Sequence, residues 1–272
     1  MFESRHDQAF GLRRLFGNRD VRVLPLSGSD DGNGQAGFVV NLAAALTRIG
    51  RRPIVLDADR GLVAPTMGLK ARFDLLHLLT GQREFHEVAM QTQEGFWVMP
   101  AARGLAALVK QGGLGGPLFT GFGRLTEAFD TVLLCARPEM IAPLVVGQEI
   151  ETTLVCGTDP RHLAATYSRI KGLRNQHGLT QFRLIYNRAA SSSAAAACHE
   201  RLAGTVDRFL GANIAFGGAI EEESVLALAE RARATVFWVA AASDAARAFE
   251  RIAAASLEWP LPVFAHPDSF LH

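Results

Sequence analysis

The sequence predicts a single three-layer α/β domain, a mostly parallel twisted sheet with helices on both faces. Two observations carry this. Short strand-like runs (Val21–Leu26, Pro53–Leu56, Phe129–Cys135, Glu151–Cys156, Phe182–Arg188) alternate with longer stretches whose apolar residues recur at helical spacing. The chain has 272 residues, enough for one large α/β domain or two small ones, and its 49% hydrophobic and 20% charged residues suit a globular protein.

Composition narrows the function classes. A net charge of +1 gives no basic surface for nucleic acid, so no direct nucleic-acid partner is expected. Cys135, Cys156 and Cys198 are odd in number and far apart, which fits buried thiols in a reducing compartment and no metal site. Arg5, Asp7, Arg13 and Arg14 interrupt any signal-peptide core, and no apolar run reaches the roughly 20 residues of a membrane span. A cytoplasmic protein is expected.

The chain is organised around residues 21–59. Val21–Leu26 reads as a strand, Ser27–Gly34 as a turn-rich loop, Phe38–Ile49 as a helix stopped by Gly50, and Pro53–Leu56 as a second strand ending on Asp57 and Asp59. A loop that feeds a helix N-terminus offers backbone N–H groups to a phosphate. The stretch resembles the MinD/ParA family of deviant Walker ATPases, a P-loop NTPase-like fold, whose loop reads roughly KGGxGK[ST] before a helix containing NLA. Counting back from Asn41-Leu42-Ala43, the resemblance places the phosphate-binding lysine at Gln35, the Mg²⁺-binding hydroxyl at Ala36 and the second lysine at Asp30, with Gly32 and Gly34 retained. A neutral amide in place of the ammonium forfeits a charge-assisted hydrogen bond of about 1.5–3 kcal/mol, about ten- to a hundredfold in affinity. Asp30 and Asp31 add repulsion toward a polyanion, and alanine cannot hold the metal on which phosphoryl transfer relies.

Before this unit, residues 1–20 carry Ala9, Leu12 and Phe16 at helical steps, a short amphipathic helix that is marginal alone and must dock. Asp7-Gln8-Ala9-Phe10-Gly11-Leu12-Arg13 matches the DQAxxLR element of the FlhG/FleN family, MinD-like regulators of flagellar number and placement. The resemblance implies an activator helix that stimulates the FlhF GTPase. Gln8 would reach the partner's catalytic centre, Leu12 and Phe16 would anchor the apolar face, and Arg13 would pair with a partner carboxylate.

After the second strand, LDADRGLVAPTMGLKARFDLLHLLTGQ resembles the family's DADLGLAN…DLLDVLSG segment. The resemblance matches Asp57 to the water-positioning aspartate and Asp59 to a second loop aspartate. Arg60 and Pro65 depart from the pattern, and without lysine or metal hydroxyl Asp57 is expected to be vestigial. His77 falls within a short helix over 73–80 and reads as a surface or satisfied core histidine. Glu94–Pro100 reads as a strand before a loop at 100–104, and the six glycines between Lys110 and Gly123 read as a flexible loop. Phe129–Cys135 resembles the Walker B strand with Cys135 in the aspartate's place, and a thiol does not organise hydrated Mg²⁺ as a carboxylate does. Asn187 matches an asparagine that reads adenine, and otherwise reads as a strand-end turn residue. Glu221-Glu222-Glu223 reads as a solvated helix start favoured by the helix dipole. The final helix is expected to run to about Trp259, where prolines 260, 262 and 267 prevent its continuation. A tail so poor in basic residues gives little reason for membrane attachment, although an exposed Trp259 or Phe270 offers a docking side chain.

These readings divide the chain into an activator helix at 1–20, a MinD-like domain at 21–258 and a proline-broken tail at 259–272. They imply a regulator that lacks ATP hydrolysis, carries no cofactor and acts through FlhF, flagellar C-ring proteins or the flagellar transcription activator, at the cell pole through those partners. The alternatives are a weak ATP-binding or hydrolysing switch, and a MinD-like scaffold of cellulose secretion or pilus placement.

Overall fold

The structure is a computed structural model that describes residues 22–28, 34–59, 61–110, 129–145 and 151–260. The activator-helix residues, Gly32, Asp30, Asp31, the glycine-rich stretch after Lys110, and Phe270 lie outside the described residues.

The first unit runs β1 (Arg22–Gly28), α1 (Gln35–Arg48) and β2 (Pro53–Asp57). Short elements come after it: α2 (Val63–Thr66), α3 (Leu75–Leu79), α4 (Phe85–Val88), β3 (Met90–Gln91) and β4 (Trp97–Pro100). Next come α5 (Ala102–Lys110), β5 (Thr131–Cys135), α6 (Pro138–Val145), β6 (Thr152–Cys156), α7 (Pro160–His177), β7 (Gln181–Ala189) and α8 (Ser192–Leu210). β8 (Asn213–Glu221), α9 (Ser224–Ala232), α10 (Val236–Ala240) and α11 (Asp244–Ser256) complete the described chain. The strands form one sheet in the order β3-β4-β2-β5-β1-β6-β7-β8, parallel throughout except for the β3–β4 pair at one edge.

The apolar runs are continuous because each central strand feeds two cores. Along β5, Val132 and Leu134 join one core while Leu133 and Cys135 join the other. A parallel sheet covered on both faces demands this pattern. The first core packs α3, α5, α7 and α8 on the sheet through Leu75, Leu105, Ile170 and Val206. The second packs α1 and α11, where Phe38 meets Phe249 at 5.5 Å between ring centroids. Helix α1 is buried from Phe38 to Leu46, which explains why that stretch is apolar on every side except at Asn41. It starts at Gln35, one turn earlier than its periodicity suggests, because Gly34 adopts φ 70° and turns the chain into the helix.

Residues 100–104 differ from the expected loop, since α5 begins at Ala102. Its start is fixed by Asp74, whose carboxylate accepts from the N–H of Gly104 (2.9 Å) and Arg103 (3.2 Å), and from Leu76 (2.9 Å) in its own helix α3. One side chain therefore caps two helices. A Cβ on Gly104 would sit 2.7 Å from Leu75 Cβ, so glycine permits the close approach of α3 and α5. His77 completes the α3 cap, its Nδ1 accepting from the Asp74 N–H at 3.0 Å.

The three successive glutamates lead into α9 as expected, with Glu223 at its N-cap position and Glu221 and Glu222 exposed, and each also holds a partner that the sequence did not show. Glu221 accepts from Ser192 N–H and Oγ at the start of α8, each at 2.7 Å. Glu222 pairs with Arg188, and Glu223 accepts from the Ala245 N–H at the start of α11 at 2.9 Å. Trp259 is 8% exposed and packs into the second core, with the Arg183 guanidinium 4.7 Å from its ring centroid, so its docking surface is the domain itself. Arg22 donates to the carbonyls of Ser256 (2.8 Å) and Trp259 (3.1 Å), tying the first residue of β1 to the end of the last helix.

Candidate functional site

A cleft of about 760 Å³ opens at the carboxyl ends of the central strands. Its floor comes from Ser27 and Gly28 of β1, Gly34 to Gly37 at the start of α1, Asp57 and Asp59 after β2, and Cys135 at the end of β5. Crevices beyond the carboxyl ends of parallel strands, where neighbouring connections diverge, are where such sheets bind ligands. Here β5 and β6 leave β1 on opposite sides. The fold therefore gathers Gly34, Gln35, Ala36, Asp57, Asp59 and Cys135 into one place. Asn187 reaches its rim, with Nδ2 3.1 Å from where a Cβ on Gly34 would lie.

Three positions of the floor, Gln35, Ala36 and Cys135, are neutral where a metal–phosphate site needs charge or a hydroxyl, beside the carboxylates of Asp57 and Asp59. Gln35 Nε2 donates to Cys135 Sγ at 3.4 Å. Burial, reinforced by Asp57 and Asp59, pushes the Cys135 thiol well above its ordinary range, so it is protonated. Ala36 contributes a methyl group. Asp57 is 1% exposed; Oδ2 accepts from the Val63 N–H at 2.8 Å, and Oδ1 lacks a hydrogen-bond partner among the described residues. Burial raises its carboxyl to about 6, the Asp59 charge adds to this, and backbone N–H groups, that of Val63 foremost, work against it. Hydrated Mg²⁺ with a polyphosphate requires an ammonium, a hydroxyl ligand and an ionised carboxylate. The amide, methyl and thiol present do not fit that group. Among the described residues, no cluster of three His, Cys, Asp or Glu is arranged to hold a metal ion.

The walls are cationic, and sequence reasoning passed over them. Arg137, Arg169, Arg188 and Arg233 line the cleft from four separate segments, together with Glu230. Arg188 donates to Glu222 (3.2 and 3.3 Å) and to Glu230; burial lowers its pKa, but the two carboxylates outweigh that and raise it. Arg169 pairs with Glu139. A residue adjacent to Asn187 was the one available hint to Arg188, since nothing local in the sequence says which residues will face Gly34 across the cleft. Asn41 is a second omission: it is 5% exposed, donates to the Gly37 carbonyl at 2.7 Å and accepts from the Val236 N–H at 2.8 Å. It ties the first turn of α1 to the start of α10.

This sheet order, with its loop-and-helix cleft after the central strand, defines a P-loop α/β protein of the MinD/ParA class. The fold matches the MinD cell division protein of Aquifex aeolicus, with a TM-score of 0.64, 18% identity, and coverage of 90% of this chain and 100% of that chain. No protein-family model matches the chain. The antiactivator FleN of Pseudomonas aeruginosa is 30% identical over 257 residues, 92% of this chain and 91% of that protein. The flagellum site-determining protein YlxH of Helicobacter pylori is 24% identical over 249 residues, 82% of this chain and 79% of that protein. The chain belongs to the FleN family. No helix among the described residues is long and apolar enough to cross a membrane.

Proposed function

We propose that the protein is a flagellar regulator of the FlhG/FleN type that works by protein–protein contacts and has lost ATP hydrolysis. The observation that carries the second half is the Gln35–Cys135 hydrogen bond, a neutral pair where hydrolysis needs an ammonium and a metal-organising carboxylate. Asp57, whose carboxyl is raised to about 6, shares the cleft floor with Gln35, Ala36 and Cys135, none of which supplies the ammonium or the metal ligand through which a water would be activated.

The first half rests on family membership and on the DQAxxLR element at residues 7–13. The partner is the FlhF GTPase, and the segment ahead of the sheet is its activator, with Gln8 reaching the GTPase centre. The activator residues lie outside the stretches that build the cleft, so stimulation of a GTPase by them needs no chemistry there. Other partners of the same pathway, C-ring proteins or the flagellar transcription activator, and a place at the cell pole belong to the same reading.

Two assays test it together. FlhF GTP turnover should rise with the full chain and return to basal on removal of residues 1–20 or with Gln8→Ala; turnover indifferent to both changes refutes the activator role. Phosphate release from Mg²⁺-ATP by the purified protein, lost with Asp57→Ala, would refute the loss of hydrolysis.

A further inference from the structure

We propose that one anion position of the open cleft is filled by the protein itself: the carboxylate of Glu230, clasped by Arg188, lies over the first turn of α1 where the anionic group of a ligand would sit. The proposal deepens the reading of a disabled nucleotide cleft and rests on it.

Helix α1 begins without a side-chain cap among the described residues, since Gly34 provides none, and the first turn contains no acidic residue. The leading N–H groups of a helix favour an anion. The carboxylate that comes to this turn is delivered from α9, nearly two hundred residues later in the chain. A Cβ placed on Gly37 would meet Glu230 Oε1 at 3.2 Å, and one placed on Gly34 would meet Arg188 Nε at 3.3 Å. Gly34 needs its positive φ of 70°, but Gly37 adopts an ordinary helical conformation. Glycine is unfavourable inside a helix, and the space left by the missing side chain is the space against which Glu230 rests.

The clasp is built, not incidental. Arg188 bridges Glu222 and Glu230, so its charge is already matched by two carboxylates. Arg188 (φ 57°) and Arg233 (φ 53°) are the non-glycine residues with positive φ among the described residues, and both line this cleft, one holding Glu230 and the other at the end of α9, three residues beyond it. Such conformations persist where surrounding contacts over-determine them, and they gather at functional sites. An incoming phosphate must displace Glu230 and free Arg188; the pair is partly exposed, with side chains 27% and 46% accessible, so it is a contact that can open.

The test is calorimetric titration with ADP in metal-free buffer at low ionic strength. The proteins compared are the full chain, Glu230→Gln, and Glu222→Gln as a charge-matched control on the same arginine. Glu230→Gln should bind ADP at least fivefold more tightly than the unmodified chain, and Glu222→Gln less than half as much more tightly as Glu230→Gln does. A Glu230→Gln affinity less than fivefold above the unmodified chain overturns the proposal, including the case in which neither binds detectably. Equal gains from the two variants also overturn it, because that is a general effect of net charge. Glu230 is half exposed and the substitution is isosteric, so folding is preserved. ATP turnover by the unmodified chain would sink the pseudo-ATPase reading yet leave the affinity ratio decisive for the clasp.

Discussion

Asp57 offers a direct measure of what the altered cleft costs the fold. Its carboxyl rises from an ordinary 3.8 to about 6, chiefly because burial disfavours the charged form. A carboxyl whose folded value lies above its unfolded value binds more protons in the folded state between those values. Stability therefore falls as pH rises through that window and stays low above it. The shift of about two units corresponds to about 3 kcal/mol at 1.36 kcal/mol per unit. Asp57→Asn keeps an acceptor for the Val63 N–H and removes the titration. Urea unfolding of both proteins at several pH values from 4 to 8 should show the variant gaining about 2–3 kcal/mol on the unmodified chain across that range, with most of the gain between pH 4 and 6.5. Comparing the two proteins cancels the other titrating groups. A gain that is absent, or that does not grow with pH, would refute the claim that Asp57 is a buried carboxylate without compensating charge.

Two further changes probe the same region. Cys135→Asp, which restores the family's carboxylate, puts a third acid beside Asp57 and Asp59 at a position 3% exposed; it should destabilise the domain by about 3 kcal/mol or more at pH 7.5, and adding Gln35→Lys should recover part of that in a double-mutant cycle read by urea unfolding. Asn41→Ala strands the Val236 N–H, while the Gly37 carbonyl keeps its intrahelical bond, so it should cost about 1–3 kcal/mol and speed amide exchange at Val236 selectively.

The family reading of the cleft was legible because its parts are local. The β1–α1–β2 unit is contiguous, so counting from Asn41 located Gln35 and Ala36 without knowledge of the fold, and the apolar run before Cys135 located the end of β5. The structure places all three, with Asp57 and Asp59, around one cleft. Element ends were less legible. Helix α1 starts earlier and α5 replaces a loop because Gly34 and Asp74 act through backbone geometry and a cap from another helix, neither of which periodicity registers.

Apolar periodicity, turn residues and one contiguous motif by themselves determined the class of fold and the neutral chemistry of Gln35, Ala36 and Cys135, since both depend on spacing along the chain. Tertiary structure alone decided that Glu221, Glu222 and Glu223 serve three different partners, that Trp259 is buried beneath Arg183, and that Glu230 faces Gly37 across the cleft. Hydrogen bonds and ion pairs act over about 3 Å, whereas these partners are separated by tens to nearly two hundred residues. Only the packing of α8, α9 and α11 on the sheet brings them within that range.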